Sequence, residues 1–565
     1  MRTSREVSAE KLRGGFYTPG DLVRRCLDRV AALTAGRSGL TVLEPSAGDG
    51  AFLRGLACHP LSGRVAQLTA IEPSAADAAR CRDAAAGTPF QVSVVTGSAL
   101  AAECRPAAAF DVAIGNPPFV RFQFVGPGDA AAAEVLAREL GVPLAGVANL
   151  WLPVLLAALS TLRPGGAFAF VVPAELFTGV SAGTARAWLA GYSGRLRVDL
   201  FAPGSFPGVL QEVVIISGTR RPPAGRAGPR LELHEHDQAG ESRWQHALAS
   251  DSRSWTGYLL RPDLLGALTE AGELAQMRRL GELARFEVAT VTGANAFFTV
   301  DDATLGAYRL SPWALPLLPR ARHAPGLIFT AADHAALRAA GGRAHLLDFS
   351  AKRPPPAGPL PLAYLGEGQR AGLAGRYKCR IRRPWYRVPV VPPGQLMLSK
   401  RSHRYPRLVL NEAAAHTTDT IYRGRLLPGV DSGTAARLVT AFHNSLTLLT
   451  AETEGRSFGG GVLELVPAEV SRLLVPAGPP AGAGHLPAGE LARLDKLARA
   501  CAPGDGEALV AETDRLLAAH HAGLPPDLLA RLQEARWQLL ERRLRRGSKP
   551  GGRPAGDGGV MVSDG

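Results

Sequence analysis

Apolar residues in the first two fifths of the chain fall in short runs separated by amphipathic stretches. From residue 40 to about 218, strands are predicted at Thr41–Leu43, Leu68–Ile71, Gln91–Val95, Asp111–Ile114, Ala167–Val172, Arg197–Phe201 and Val213–Ser217. Between them lie Ala/Leu/Arg stretches of helical period, among them Ala51–Leu56, Ala75–Ala86 and Leu150–Leu162. Strands that are apolar throughout, alternating with helices, predict an α/β fold whose mainly parallel sheet is covered by helices on both faces. Ligands in such sheets bind beyond the carboxyl ends of the strands, so the residues after each strand are the ones to inspect. The alternation stops at Arg220–Arg230 (RRPPAGRAGPR). The pattern therefore divides into a first domain over 1–220, a linker over 221–230 and a mixed α+β region over 231–476. A flexible run over 477–489, an amphipathic helical segment over 490–546 and a Gly-rich, disordered tail over 547–565 follow.

Length and composition fit that division. At roughly 100–200 residues per domain, 565 residues exceed a single unit, and 46% apolar content excludes wholesale disorder. The net charge of +14 is unevenly placed. Residues 1–220 hold 20 basic and 17 acidic residues, a net of +3, whereas residues 376–425 hold 12 basic residues against Glu412 and Asp419, a net of +10. Such concentration favours a polyanionic partner over a merely solvated face. The six cysteines contain no CxxC pair, so neither a disulfide framework nor a zinc site is implied. The N-terminal MRTSREVSAEKLRGG has no apolar core of a signal peptide, and the longest apolar run, Leu150–Leu159, is half a membrane span. These features lead to the expectation of a reduced, cytoplasmic protein with no membrane association and no metal.

The chemistry lies after the strands. The first runs into Glu44-Pro45-Ser46-Ala47-Gly48-Asp49-Gly50, where two glycines permit a sharp turn and a close ligand approach. The second ends in Ile71-Glu72, 22 residues past Gly50, where a carboxylate suits a ribose diol. Together they point to an adenosine-containing cofactor without separating NAD from S-adenosylmethionine. The fourth strand separates them, because it leads into Asn116-Pro117-Pro118-Phe119. The prolines fix the backbone and add carbonyls without N–H donors. The Asn116 side-chain oxygen and the Pro117 carbonyl can then accept both protons of one planar amino group, while Phe119 offers a flat face for a base.

These motifs resemble those of bacterial DNA N6-adenine methyltransferases of the gamma motif order, in which the cofactor motifs precede the catalytic motif and the target-recognition domain comes last. The resemblance runs through nearly the whole chain. It implies a Rossmann-like class I methyltransferase domain using S-adenosyl-L-methionine, with Tyr17 and Thr18 of Gly15-Phe16-Tyr17-Thr18-Pro19 in the N-terminal motif. Thr18 with Asp21 would also cap the helix Leu22–Leu33. Glu44, Ser46, Ala47, Gly48, Gly50, Ile71 and Glu72 are then cofactor residues, Asn116–Phe119 the catalytic tetrapeptide, and Phe206 of Ser205-Phe206-Pro207 the aromatic on the other face of the base. One position departs from the family: Ser98 stands where an Asp usually meets the cofactor's adenine, and a hydroxyl accepts a hydrogen bond without bringing charge.

Later stretches resemble the same enzymes' recognition domain: Val291–Phe298, Arg376–Tyr386, Leu410–Glu412 with His416–Asp419, and Phe458–Gly461. If Arg376–Arg382 is a strand, Arg376, Lys378, Arg380 and Arg382 share one face, with Arg383 beside them and Trp385 and Tyr386 as stacking surface. These seven residues are the expected contacts to duplex DNA. His234-Glu235-His236-Asp237 reads as a surface strand rather than a metal site, and His520-His521 has no evident ligand partner. The implied setting is restriction–modification or phage defence, any paired restriction nuclease being a separate chain. The competing readings are a methyltransferase acting on protein glutamine or RNA adenine, and a non-catalytic DNA-binding scaffold.

Overall fold

The computed structural model describes residues 18–143, 149–178, 182–202, 205–206, 212–222, 228–237, 240–249, 254–458, 460–477, 489–501, 506–520 and 524–547. The chain divides into two compact units, one ending at Pro262 and the other running from Asp263 to Gly547.

The first unit is built on nine strands: β1 (Leu40–Glu44), β2 (Val65–Glu72), β3 (Gln91–Thr96), β4 (Phe110–Gly115), β5 (Leu162–Pro173), β6 (Ser193–Phe201), β7 (Val213–Arg220), β8 (Arg230–Asp237) and β9 (Gly240–Ala247). Their spatial order is β3-β2-β1-β4-β5-β7-β6-β8-β9. The first five are parallel, β7 runs antiparallel between β5 and β6, and β8 is parallel to β6. This is the mainly parallel, helix-covered α/β sheet expected from the sequence, and each of the seven predicted strands is in it. β4 is buried along its whole length, its one charged residue, Asp111, being paired with Arg37 and Arg163. One face packs Val42, Val112, Ile114 and Ala169 against α1 (Gly20–Leu33) and α2 (Ala51–Ala57). Residues of the opposite parity, such as Leu43, Ala113, Phe168 and Phe170, are equally buried.

Two expected boundaries shift. The first domain does not end at 220, because β8 and β9 extend the same sheet. The stretch read as an interdomain linker, 221–230, joins two strands of that sheet, and its residues 223–227 lie outside the described ones. Pro and Gly mark a break in hydrophobic period, and here the break is a connection within one sheet rather than between domains. The His-rich segment is β8 itself. His236 Nε2 lies 2.8 Å from Asp199 and His234 pairs with Glu241, so both imidazoles are spent on carboxylates.

The second unit holds a five-stranded sheet in the order Ala284–Val288, Ile421–Leu426, Leu396–Ser399, Leu408–Asn411, Ile328–Phe329, with smaller sheets beside it. The helical segment after 490 is not a separate body. Leu491 and Leu494 of helix Glu490–Ala500 and Leu509 and Leu516 of helix Glu507–His520 share a core with Leu438, Phe442 and Leu448. Helix Pro526–Gly547 is fastened by Arg543, which donates to Glu452 at 2.8 and 2.7 Å with both residues buried. The flexible run and the tail predicted at 477–489 and 547–565 fall almost entirely outside the described residues.

Candidate active site

The carboxyl ends of β1, β2 and β4 carry the predicted motifs, and the backbone ties them together. Ala47 N–H donates to the Ile71 carbonyl at 2.9 Å, and Gly97 N–H donates to that of Glu72 at 3.1 Å. Glu72 accepts from Gly48 N–H at 2.9 Å and from Ser74 N–H at 2.8 Å, one bond per oxygen. Each oxygen keeps a second lone pair, the acceptor capacity a ribose diol needs. Gly48 and Gly50 have φ of 54° and 86°, the left-handed region that favours glycine. Gly50 is also confined: a Cβ there would sit 3.2 Å from that of Ala84, whereas a Cβ on Gly48 would meet nothing within 4 Å. The side of the turn at Gly48 is therefore open to a ligand, and the side at Gly50 is packed on the helix Ala75–Ala84.

Glu44 is buried, and its Oε2 has no hydrogen-bond partner. Burial, reinforced by the Asp49 and Glu72 carboxylates, pushes its pKa well above the usual carboxylate range. An orphaned acidic group beside an open glycine turn, with a second acid at the end of β2, fits a cationic, ribose-bearing molecule. S-adenosylmethionine is such a molecule, with a sulfonium, an ammonium and a ribose diol. Ser98 Oγ accepts from Leu100 N–H at 3.2 Å within its own turn and keeps its proton and a second lone pair.

Asn116 is held from two sides. Its Nδ2 donates to Thr18 Oγ1 at 3.1 Å, and its backbone carbonyl accepts from Ser46 Oγ at 3.1 Å. Its Oδ1 is buried and has no partner. A buried amide oxygen without a donor is costly, about 1–3 kcal/mol, and marks a place where an incoming N–H is accepted. Thr18 therefore differs from expectation. α1 begins at Gly20 with no side-chain cap, and the Thr18 hydroxyl serves the Asn116 amide instead. Tyr17 lies outside the described residues. Pro117 is buried, and Phe119 is half-buried against the core below the motif.

Phe206 packs edge-on against Phe201 at the end of β6, with ring centroids 5.0 Å apart. Phe201 is in turn stacked on His236 at 5.3 Å and faced by the Arg25 guanidinium at 5.3 Å. β6 lies three strand spacings from β4, about 14 Å. The Phe206 ring is engaged with the end of β6, and both it and Phe119 pack against the core of the first unit.

Two polar groups near the tetrapeptide escaped the sequence reading. Asn149 pairs with Arg121 in an isolated bridge, and its Oδ1 is buried without a partner. Nothing in the sequence signals it, since it precedes the helix Trp151–Ser160 in an irregular stretch. Glu175 follows β5, and burial, only partly opposed by Arg121, raises its pKa. The rule that ligands meet the residues after strands would have found it.

In the second unit, the basic stretch departs from the predicted strand. Tyr377–Arg380 is one helical turn, so the four cations do not share a face. Arg382 turns inward and donates to the carbonyls of Thr292 and Val291 at 2.6 and 2.8 Å. Trp385 packs among Phe297 and Phe298, with centroids 5.6 and 6.2 Å away, and Tyr386 meets Phe349 at 5.9 Å. Both aromatics are half-buried against this core. Arg376, Lys378, Arg380 and Arg383 remain exposed. Among the described residues no helix is long and apolar enough to cross a membrane.

Residues 252–517 match the sequence profile of the C-terminal domain of the type II methyltransferase M.Eco57I. The type II methyltransferase M.XamI of Xanthomonas campestris pv. amaranthicola is 26% identical over 479 residues, covering 82% of this chain and 85% of the relative. Among solved structures, the type IIG restriction endonuclease BpuSI aligns at a TM-score of 0.42 and 13% identity, over 96% of this chain and 68% of that one. The DrdV–DNA complex aligns at 0.48 and 12%, over 88% and 58%. By sequence, the relatives of this chain are type II methyltransferases, matched through the domain that follows the nine-stranded sheet and, more distantly, along most of its length.

Proposed function

We propose that the protein transfers a methyl group from S-adenosylmethionine to N6 of an adenine rotated out of duplex DNA. The observation that carries this reading is the Asn116 amide, whose nitrogen is engaged by Thr18 while its buried oxygen is free to accept. An exocyclic amino group has two protons to give. Asn116 Oδ1 would accept a hydrogen bond from one and the Pro117 carbonyl from the other, concentrating the lone pair on nitrogen; the N–C bond forms as the S–C bond breaks, and the proton the amino group loses passes to solvent. Bound S-adenosylmethionine supplies an electrophilic methyl on its sulfonium. Glu72 would hold its ribose, the turn at Gly48 would admit it, and Glu44 and Ser46 would face its charged end. Phe119 stacks on the base, and Phe206 is assigned to the other face. Extruding the base costs a few kcal/mol, offset by stacking and by the positioned amide.

DNA is the substrate this reading assigns, with Arg376, Lys378, Arg380 and Arg383 on phosphates. The relatives' names place them among type II methyltransferases, and the same setting, with any nuclease on a separate chain, is proposed here. The test is incubation of the protein with labelled S-adenosylmethionine and duplex DNA, RNA or protein. Label is expected in DNA as N6-methyladenine, and Asn116→Ala is expected to bind both ligands and transfer nothing. Label confined to protein would favour glutamine methylation, and no transfer by the wild type would favour a scaffold.

A further inference from the structure

The turn Tyr377–Arg380 carries an unusual surface. Tyr377 and Ile381 are each 63% exposed and, four residues apart, project on the same side. The pair stands among the exposed cations Arg376, Lys378, Arg380 and Arg383. The Lys378 ammonium lies 5.4 Å and the Arg380 guanidinium 5.6 Å from the centre of the Tyr377 ring. No acidic residue occurs between Glu367 and Glu412. Among the described residues none of the four cations is in an ion pair.

The footing of the turn is rigid. Cys379 is fully buried in a core with Phe298, Tyr364 and Leu373. Arg382 pins the turn to the carbonyls of Val291 and Thr292, and Trp385 anchors the chain that follows. A surface made only of phosphate-binding cations has no use for a protruding tyrosine and isoleucine. Both would gain from removal from water, and the Tyr377 ring, with two cations beside it, stays largely exposed to a flat partner.

We propose that Tyr377 and Ile381 form an apolar wedge that enters the base stack of duplex DNA while the surrounding cations seat on flanking phosphates. This rests on the reading that the protein binds DNA. Wedges of this kind separate two base pairs and gain buried area as the duplex bends. The wedge contributes sequence-tolerant, salt-independent affinity, whereas the cations contribute the salt-dependent part.

The experiment measures the dissociation constant of the full chain for a fluorescein-labelled duplex of mixed sequence over a range of salt. Tyr377→Ala with Ile381→Ala is expected to weaken binding about tenfold with the salt slope unchanged, and Tyr377→Phe to bind as wild type. Replacing Arg376, Lys378 and Arg380 by Gln is expected to reduce the slope by about 0.9 for each phosphate no longer neutralised. A mismatch that unstacks the duplex in advance should tighten wild-type binding more than that of the double Ala variant. Wild-type affinity and mismatch response in the double variant would overturn the wedge and leave DNA binding intact. Failure of the wild type to bind duplex DNA would overturn the DNA reading as well. Both side chains are exposed, so the variants are expected to keep their fold, and an unchanged melting curve checks it.

Discussion

Thr18→Val tests whether the Asn116 amide is oriented by its neighbour. Valine keeps the shape of threonine and removes the one group that accepts from Asn116 Nδ2. The amide then has no reason to keep its oxygen toward the site, since the two ends of an amide differ little in shape. Leaving a partly buried N–H unpaired costs about 1–3 kcal/mol, and turning the amide relieves that cost by presenting N–H where Oδ1 should accept. If that whole penalty falls on the reacting arrangement, kcat drops about 5- to 150-fold, at about 1.4 kcal/mol per tenfold. Glu72, Gly48 and Glu44 are untouched, so the dissociation constant for S-adenosylmethionine should stay within a factor of about two or three. Steady-state methylation of duplex DNA gives the first quantity and calorimetric titration the second. Thr18→Ser restores the hydroxyl and should restore most of kcat. Weakened cofactor binding with kcat intact would refute the reasoning and return Thr18 to the cofactor role that the sequence resemblance implies.

Other perturbations address the charges. Glu44 has a folded pKa raised by burial and by Asp49 and Glu72, so folding takes up a proton there. Its contribution is complete below the ordinary carboxylate pKa of about 4.3 and is lost as pH rises. Thermal unfolding of the ligand-free protein from pH 5 to 8 should therefore be flatter for Glu44→Gln, and identical profiles would sink the argument. Asp199 shows the opposite sign: burial alone would raise its pKa, but hydrogen bonds from Arg197, Arg29 and His236 outweigh it and hold the group at about 2. Its stabilisation, about 2 kcal/mol for a shift of that size, is present above pH about 4 and lost as pH falls toward 2. Asp199→Asn should unfold at lower denaturant near neutral pH and lose less stability on acidification over that window. Arg382→Gln frees two carbonyls and should lower stability by about 2 kcal/mol while leaving the salt slope of DNA binding unchanged. A reduced slope would restore Arg382 as a phosphate ligand.

How much of this was legible in the sequence depends on the range of the forces involved. The first unit is dominated by short-range patterning. A strand buried on both faces is nearly all apolar, so Val112–Ile114 and Ala167–Val172 announced themselves, and strand-end residues could be read from position alone. The Asn116 motif was legible because its chemistry is contained in four consecutive residues. The hydrogen bond with Thr18 was not, since it joins residues 98 positions apart. Nor was the continuation of the sheet through β8 and β9: a Pro/Gly connection looks the same whether it leaves a sheet or returns to it.

The basic stretch of the second unit shows the same limit from the other side. Alternating cations from Arg376 to Arg382 match the period of a strand, but Cys379 needs to be buried and Tyr377 and Ile381 are left outside, which is the period of a helical turn. Charge alone cannot choose between the two, because a guanidinium can face water or cap carbonyls. Arg382 takes the second course, since the carbonyls of Val291 and Thr292 lie within its reach. The concentration of charge in residues 376–425 still points to a polyanion, but not every cation in it is available to one. Arg407 is a second case: it donates to the carbonyls of Ala324 and Gly326 at 2.9 and 2.7 Å. Arg543 and Arg382 serve in the same way, so in this arginine-rich chain guanidinium groups act as internal fasteners as well as surface charge. A count of basic residues therefore overstates the recognition surface, and the exposed group around Tyr377 is a part of it that geometry leaves free.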